Sequence, residues 1–481
     1  MNFRLMFRLI GVLLMVEGVA MSVATVIAII SNGDDMRALA ISSLICIIPG
    51  LTAFFLSSGY SRTLMRREGF LAVTFSWVLI SFAGCLPFVL SGYIPHLTDA
   101  FFETMSGFTT TGASIVDNIE TFPRGLLFWR SMTQWLGGMG IIVLAISFLP
   151  GAGIGGMQLF NAESPGISVD KVSPRIYQTA RKIWWIYVFF TLLETLLLMA
   201  GGMSWFDSIC HSFSTMATGG FSTKHASIAH FQTPYIEYVI TFFMIIAGSN
   251  FALLFLTIIG KPLKLFRDEE FRDYIFFILG FTVLIFAGLL ITSDAGIEES
   301  FRNSLFTVVS IITTTGFVSA DYLLWVPVLT ILVFAIFFFG SSTGSTGGGI
   351  KIMRIIILLK NSYYELRRII HPNAVIPVRF NKHCVSPKIV NNILAFFMFY
   401  VSIFFISSIL LMIVVPDLAT SMGAVASCMG NIGPGLGTVG PAFTYSHIPD
   451  VGKWFLSFLM VLGRLELLTV LVIFSPSFWK E

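Results

Sequence analysis

Long runs of apolar residues recur along almost the whole chain, and they constrain the fold more than any other feature. A run of about 20 residues crosses a bilayer core about 30 Å thick. Of the 481 residues, 56% are hydrophobic and 11% are charged, whereas soluble domains carry about 25% charged residues. The sequence therefore predicts an all-α membrane protein with ten crossings. We place these at 5–30, 38–58, 70–92, 125–149, 182–203, 234–259, 274–292, 323–369 (interrupted), 390–415 and 453–474.

Basic residues between the spans indicate the orientation of the chain. They gather in every second connection, whereas the others, such as SGYIPHLTD and VPDLATS, are nearly free of Lys and Arg. Lys and Arg mark cytoplasmic loops, and the number of crossings is even. We therefore expect a multi-pass protein of the bacterial inner (cytoplasmic) membrane with both termini in the cytoplasm. The basic residues are Arg62, Arg66 and Arg67; Lys171, Arg175, Arg181 and Lys182; Lys261, Lys264, Arg267 and Arg272; and Arg367, Arg368, Arg379, Lys382 and Lys388.

Four short apolar stretches between these spans form an internal repeat. They read DAFFETMSGFTTTG from Asp99, DSICHSFSTMATGG from Asp207, NSLFTVVSIITTTG from Asn303 and TSMGAVASCMGNIG from Thr420. All four are fourteen residues long, carry serine at the eighth position and end in glycine. Each also begins with a residue type that caps helix N-termini. Four matches in register predict four span–loop–span units.

Each stretch is too short to cross a membrane, and irregular backbone at membrane depth is tolerated only in protein or beside a wet cavity. We interpret each as a short helix followed by an extended return. Four returns on one axis would present backbone carbonyls that replace the water around a monovalent cation, and the helix C-termini would favour that cation. Polar plugs without conduction are the alternative. The predicted filter residues are Thr110, Thr111, Gly112, Thr218, Gly219, Gly220, Thr314, Thr315, Gly316, Asn431, Ile432 and Gly433.

The strings TTTGAS, ATGGFST, TTTGF, NIGPGLG and GSTGGGIK resemble those of a known family. It is the Trk/Ktr/HKT superfamily of potassium transporters, and the likeness is to the TrkH-type membrane subunit of Trk uptake systems. The resemblance covers nearly the whole chain, including two extra N-terminal spans. It implies potassium uptake through a pseudo-tetrameric pore within one chain, a homodimer, and a cytosolic ring of nucleotide-binding regulatory subunits of the TrkA type. It also implies potassium ions in the filter and no other cofactor.

The same resemblance bears on selectivity and on domain boundaries. In this family, glycine at the last filter position of all four repeats accompanies potassium preference, and Gly112 keeps that pattern. The fourth segment, GNIG, departs from threonine, and its asymmetry predicts looser selectivity than that of four identical loops. The predicted units are an N-terminal transmembrane helix pair at 1–60 and pore repeats at 70–150, 180–260, 274–370 and 388–475.

The eighth span is interrupted by GSSTGSTGGG, Gly340 to Gly349. Each glycine costs a helix about 1 kcal/mol relative to alanine, so we expect the helix to break here. A phosphate-binding loop does not fit, because Ile350 separates Gly349 from Lys351 and that motif needs glycine directly before lysine. A flexible segment below the third filter segment is interpreted as a gate, in agreement with the intramembrane loop of the resembled family. The predicted gate residues are Gly344, Gly347, Gly348, Gly349, Lys351 and Arg464.

Arg464 lies deep in the last span, where a charge costs about 2.5–3.5 kcal/mol and therefore needs a cavity or a partner. One interpretation places it on the pore below the filter, where the matching arginine of the resembled family lies. The other makes it half of a structural ion pair with Glu17, Glu103 or Glu194. Glu466, two positions on, cannot share its helix face.

Other function classes fit the sequence less well. A secondary active transporter of another small cation or solute is the main alternative, but it predicts paired inverted repeats and intramembrane carboxylates. An enzyme is disfavoured because no Ser-His-Asp, His-Glu-x-x-His or metal-ligand spacing appears. The net charge of +3 does not indicate a nucleic-acid partner. Channel-like flux and proton- or sodium-coupled symport both remain open, and the candidates for docking the regulator are Arg175, Arg367 and Arg368.

Overall fold

The computed structural model describes residues 3–57, 66–140 and 176–480. Arg62, Lys171, Arg175 and the end of the predicted span 125–149 lie outside these residues. The helices are α1 (Phe3–Ile30), α2 (Met36–Leu56), α3 (Arg66–Gly84), α4 (Leu86–Ser91), α5 (Leu97–Phe108), α6 (Arg124–Gly138), α7 (Ile176–Ala200), α8 (Trp205–Met216), α9 (Pro234–Ala247), α10 (Phe251–Ile258), α11 (Leu263–Arg267), α12 (Glu269–Thr292), α13 (Ile297–Ile312), α14 (Pro327–Ile336), α15 (Ile352–Ile370), α16 (Pro387–Met412), α17 (Leu418–Gly430), α18 (Asp450–Arg464), α19 (Leu468–Leu471) and α20 (Pro476–Trp479).

Short 3₁₀ helices and one hairpin complete the described structure. The 3₁₀ helices are Ile119–Thr121, Ser227–Phe231, Tyr322–Leu324, Gly437–Val439 and Val472–Phe474. The antiparallel hairpin pairs β1 (Arg379–Phe380) with β2 (His383–Cys384). Its turn residues, Asn381 and Lys382, both have positive φ, at 47° and 66°, as a two-residue type I′ turn requires.

Six of the described helices are long and apolar enough to cross a membrane: α1, α2, α3 running into α4, α7, α12 and α16. The pairs α9–α10 and α18–α19 bring the number to eight if each is one span, although they bend by 106° and 110°. The chain is therefore a multi-pass, mainly helical membrane protein. The continuous spans predicted at 234–259 and 453–474 are wrong, because both helices break partway.

The breaks have local causes. After α9, the Asn250 side chain accepts the backbone N–H groups of Ala252 and Leu253, at 2.9 and 3.3 Å, and so caps the start of α10. After α18, Glu466 and Leu467 take φ values of 57° and 50°. A helix of L-residues cannot continue through two such residues.

The short helices α5, α8, α13 and α17 do not begin where their sequences suggest. The N-caps are His96, Ser204, Gly296 and Asp417, so the predicted caps Asp99, Asp207, Asn303 and Thr420 are wrong. Ser204 accepts the Asp207 N–H at 3.1 Å, and Asp417 accepts the Thr420 N–H at 2.8 Å. Hydrogen bonds from the Thr420 hydroxyl and N–H lower the pKa of the Asp417 carboxyl. The polar residue at each predicted cap therefore lies inside the helix.

The N-terminal pair packs through small residues. A β-carbon at Gly11 would lie 2.8 Å from the Gly50 carbonyl oxygen, and one at Gly50 would lie 2.8 Å from the Gly11 carbonyl oxygen. Small residues let membrane helices approach this closely. The pair packs in turn on α3 and α6, which places it beside the first of the fourteen-residue stretches.

Candidate functional site

Four return segments directly follow α5, α8, α13 and α17. We define them as Thr110–Gly112, Thr218–Gly220, Thr314–Gly316 and Asn431–Gly433. The first residue of each has a φ of 53–57°, and the final glycine has a φ of 77–104°. The N–H of each middle residue donates to the carbonyl of the eighth-position serine, at 2.8–3.0 Å. The same backbone geometry therefore occurs four times at equivalent positions.

The return segments contact one another in a closed order. Each final glycine lies against the middle carbonyl of the next segment, so closely that an added β-carbon would collide with that oxygen. The pairs, glycine first, are Gly112 and Gly219, Gly220 and Thr315, Gly316 and Ile432, and Gly433 and Thr111. Because the fourth segment contacts the first, the predicted filter residues form one ring.

An open cavity reaches this ring. It has a volume of about 600 Å³ including the solvent at its mouth, and all four final glycines line it. Residues that follow the return segments, such as Ser114, Ser222 and Val318, form its wall together with Arg130. A solvated ion therefore has access to the glycine end of the ring.

The first residues of two return segments contact the predicted gate. Arg464 Nη1 donates to Thr110 Oγ1 at 3.1 Å and to the Thr346 carbonyl at 2.7 Å. The Gly348 N–H donates to Thr314 Oγ1 at 2.7 Å. Of the predicted gate residues, the structure thus brings Arg464 and Gly348 against the first residues of two return segments, whereas Gly344 lies beside Asn250 and Lys351 bonds the Gly347 carbonyl.

Arg464 also caps the C-terminus of α6. Its Nη2 donates to the carbonyls of Gly137 and Gly138, at 2.7 and 3.1 Å, and these residues end α6. The last carbonyls of a helix lack intrahelical partners and carry partial negative charge. The carboxylates of Glu103 and Glu466 form ion pairs with other arginines: Glu103 pairs with Arg130 at 2.5 Å, and Glu466 pairs with Arg354.

The segment Gly340–Gly349 is anchored by hydrogen bonds, which corrects the expectation of a flexible segment. Several bonds end on the last carbonyls of α8 and α9, and others join it to neighbouring elements. The pairs are Ser342 N–H to Gly248 O at 2.9 Å, Thr346 Oγ1 to Met216 O at 3.0 Å and to Ala247 O at 3.2 Å, Thr343 N–H to Glu270 Oε1 at 2.6 Å, Phe251 N–H to Gly344 O at 3.1 Å, and Lys351 Nζ to Gly347 O at 2.7 Å. Gly344 and Gly349 have positive φ, at 76° and 64°. Moving the segment therefore requires these bonds to break.

At the ring, the sequence reasoning missed Gln134, and it predicted Asn431 as a filter residue without foreseeing the contact of its side chain. Gln134 Nε2 donates to the Gly219 carbonyl at 2.6 Å, while its Oε1 accepts the Phe221 N–H at 3.0 Å. The Asn431 amide donates to Thr111 Oγ1 at 2.9 Å and so joins the fourth segment to the first. For Gln134, the available signal was a lone uncharged polar residue within an apolar span, and a lone residue forms no motif.

The candidates for regulator docking lie near the end of α15. Arg367 is exposed and donates to the Tyr363 hydroxyl at 2.9 Å. Arg368 is half-buried and pairs with Glu365. The third candidate, Arg175, lies outside the described residues.

Comparisons with known proteins agree with a mainly helical, multi-pass membrane protein. The TrkH family profile, described as a cation transport protein, matches residues 36–481. The Trk system potassium uptake proteins TrkH of Halomonas elongata and Escherichia coli are 39% and 38% identical to this chain, over 484 and 488 residues, with 100% of both chains covered. The crystal structure of the potassium transporter TrkH from Vibrio parahaemolyticus matches with a TM-score of 0.90 and 35% identity, over 100% of both chains. These relatives are transporters rather than enzymes, and this chain belongs to the TrkH family of cation transport proteins.

Proposed function

We propose that this chain carries potassium into the cell across the cytoplasmic membrane, with the ring of return segments as its selectivity filter. The observation that carries the proposal is the closed order of contacts among four segments of equal backbone geometry. The full-length relatives are named potassium uptake proteins, which supports potassium as the cargo.

Backbone oxygens favour a monovalent cation in this ring. A ring of carbonyls can replace the hydration shell of a monovalent cation. The four short helices end at the ring, so their partly negative C-termini favour a cation there. Threonine hydroxyls beside the ring are hydrogen-bonded to each other: Thr109 Oγ1 lies 2.8 Å from Thr111 Oγ1, and Thr313 Oγ1 lies 2.7 Å from Thr315 Oγ1. We assign the twelve predicted filter residues to potassium binding on this basis.

The gate, the assembly and the orientation belong to the same proposal. Gly340–Gly349 and Arg464 close the inner end of the ring, four pore repeats form a pseudo-tetramer within one chain, and two copies form a homodimer. A cytosolic nucleotide-binding subunit of the TrkA type controls the gate, and both termini lie in the cytoplasm. The hydrogen bonds from Arg464 to Thr110 and from Gly348 to Thr314 support the gate, because they link it directly to the ring.

The first experiment is rescue of growth. Bacteria that lack their own potassium uptake systems receive this chain together with its regulatory partner and are grown at low external potassium. We expect growth to return. No rescue, with the protein shown to be in the inner membrane, would count against potassium uptake.

The second experiment measures ion flux in proteoliposomes, comparing K⁺, Rb⁺, Na⁺ and Li⁺. We expect K⁺ and Rb⁺ to exceed Na⁺ and Li⁺, because a fixed carbonyl ring fits the larger ions. Imposed proton and sodium gradients then separate symport from uncoupled flux, since only symport responds to them at constant potassium. Equal rates for all four ions would remove the filter from the proposal.

A further inference from the structure

A buried carboxylate braces the chain beyond the first return segment. Glu103, at the fifth position of its repeat, is 1% exposed. Its Oε1 accepts the Ser114 hydroxyl at 3.0 Å, and its Oε2 accepts the Ile115 N–H at 2.8 Å. Ser114 Oγ accepts in turn the Val116 N–H at 3.1 Å. The serine two residues beyond the final glycine is thus tied back to the helix that precedes the segment.

The second repeat uses a different side chain for the same connection. His211, also at the fifth position, is 0% exposed. Its Nδ1 lies 2.7 Å from the Asp207 carbonyl and must donate to it, so Nε2 accepts the Ser222 hydroxyl at 2.9 Å. Ser222 Oγ accepts the Lys224 N–H at 3.0 Å, as Ser114 Oγ accepts that of Val116. Both repeats therefore bond the fifth position to the serine two residues past the glycine.

Arg130 joins these two connections into one network. Its Nε bonds Glu103 Oε1 at 2.5 Å, and its Nη1 donates to the Ser222 carbonyl at 2.9 Å. Its guanidinium lies 3.5 Å from the centre of the Phe221 ring. Arg130 is 4% exposed, so this bridge between the first and second repeats is almost fully buried at the wall of the cavity.

The third and fourth repeats are held differently. Their fifth positions are Thr307 and Ala424. In these repeats the serines at the eighth position supply the hydrogen bonds to the chain that follows. Ser310 Oγ donates to the Phe317 carbonyl at 2.7 Å, and Ser427 Oγ donates to the Gly433 carbonyl at 2.6 Å. In the first two repeats the equivalent hydroxyls, of Ser106 and Ser214, have no hydrogen-bond partner among the described residues. The ring is therefore supported in two distinct ways.

We propose that Glu103, Arg130 and His211 form a brace that sets the spacing of the first two return segments and thereby the preference for potassium over sodium. The three are positioning residues, which act through the serine and backbone atoms that they hold. Selectivity in a carbonyl ring depends on the size of the ring and on its ability to contract around a smaller ion. A loosened brace lets one side of the ring contract. This inference rests on the proposed function as a potassium filter.

The test compares full-length variants in proteoliposomes. Glu103→Gln keeps the shape of the side chain but removes the charge that Arg130 bonds. Ser114→Ala and Ser222→Ala each remove one hydroxyl. We expect the ratio of K⁺ to Na⁺ flux to fall about tenfold for Glu103→Gln and about threefold for each serine variant. The apparent KM for Na⁺ should fall while the maximal K⁺ rate stays close to that of the wild type.

Glu237→Gln is the matched control. Glu237 pairs with Arg302 at 2.6 Å, which joins α9 to the first half of α13. This variant removes a carboxylate of a comparable ion pair without touching the brace, so the flux ratio should stay unchanged. An equal shift in this control would mean that the ratio reports general loosening, and the brace would be abandoned.

The remaining outcomes separate the two proposals. A wild-type protein that does not transport potassium overturns the proposed function itself. A potassium-selective wild type whose folded variants all keep the wild-type ratio overturns the brace alone. Yield and thermal stability are measured on each preparation, and if Glu103→Gln is not recovered, the two serine variants decide the question.

Discussion

Replacing Arg464 tests the inner end of the proposed pore most directly. Among the described residues, the guanidinium donates hydrogen bonds to Thr110, Thr346, Gly137 and Gly138. It also places a fixed positive charge beside the ring. Arg464→Ala removes both the bonds and the charge, whereas Arg464→Lys keeps the charge and loses the fork of donors. Comparing the two variants separates the electrostatic role from the structural one.

The magnitudes of the two effects differ. A positive charge 4 Å from a passing cation raises its energy by about 4 kcal/mol at an effective dielectric constant of about 20. Since about 1.4 kcal/mol is a factor of ten, removal of the charge increases flux by up to about a thousandfold. Each buried carbonyl left unsatisfied costs about 1–3 kcal/mol. We therefore expect both variants to melt at lower temperature than the wild type, and only the alanine variant to conduct faster.

The assay is potassium flux in proteoliposomes, with yield and melting temperature measured on the same preparations. Flux in Arg464→Ala should exceed that in Arg464→Lys by at least about tenfold. Equal flux in two stable variants would refute the electrostatic barrier. Loss of the folded protein in both variants would instead show that the helix-capping role of Arg464 dominates.

Three further predictions follow from the ring, the gate and the docking surface. Gly112→Ser should lower the K⁺/Na⁺ flux ratio, because its β-carbon would collide with the Gly219 carbonyl; Gly92→Ser is the control, since Gly92 has a similar φ of 79° but no atom within 4 Å. Deleting two residues within Gly340–Gly349 should raise flux and weaken its dependence on the regulator, at some cost in melting temperature from the broken anchoring bonds. Charge reversal at Arg367 and Arg368 should weaken binding of the regulator, as should 1 M salt, where the Debye length is about 3 Å.

Each of these predictions has a result that would contradict it. Equal flux ratios in the Gly112 and Gly92 variants would remove Gly112 from the filter. Flux that stays equally low and equally regulated after the deletion would reject the gate. Unchanged affinity of the charge-reversed protein, measured by titration at both salt concentrations, would show that these arginines serve only the topology of the chain.

Much of the architecture is predictable because it depends on local patterns. Apolar runs report the membrane directly, since a bilayer core excludes unpaired backbone groups over a fixed thickness. The final glycines were identifiable because four aligned stretches share them, and the structure gives all four a positive φ. The precise start of the short helices was not predictable, because polar residues in the first two turns resemble caps and only tertiary contacts separate them. Asp99, for example, bonds Lys453 at 2.6 Å instead of capping α5.

The partners of the buried polar residues could not be read from the chain. Gln134 bonds a segment 85 positions away, Arg464 bonds Thr110 354 positions away, and Asn431 bonds Thr111 320 positions away. The sequence shows that each is a polar residue in an apolar setting and therefore needs a partner. It does not show which partner, because that depends on how four repeats pack around the ring.

The sequence by itself thus determined that the chain is a multi-pass helical protein of the TrkH type with four return segments that end in glycine. These properties follow from hydrophobic length and from backbone conformations that only certain residues adopt. The tertiary structure decided the order in which the segments touch, the capping of α6 by Arg464, and the hydrogen-bond network that joins Glu103, Arg130 and His211. Those features depend on hydrogen bonds between distant residues, and their geometry exists only after the repeats have packed together.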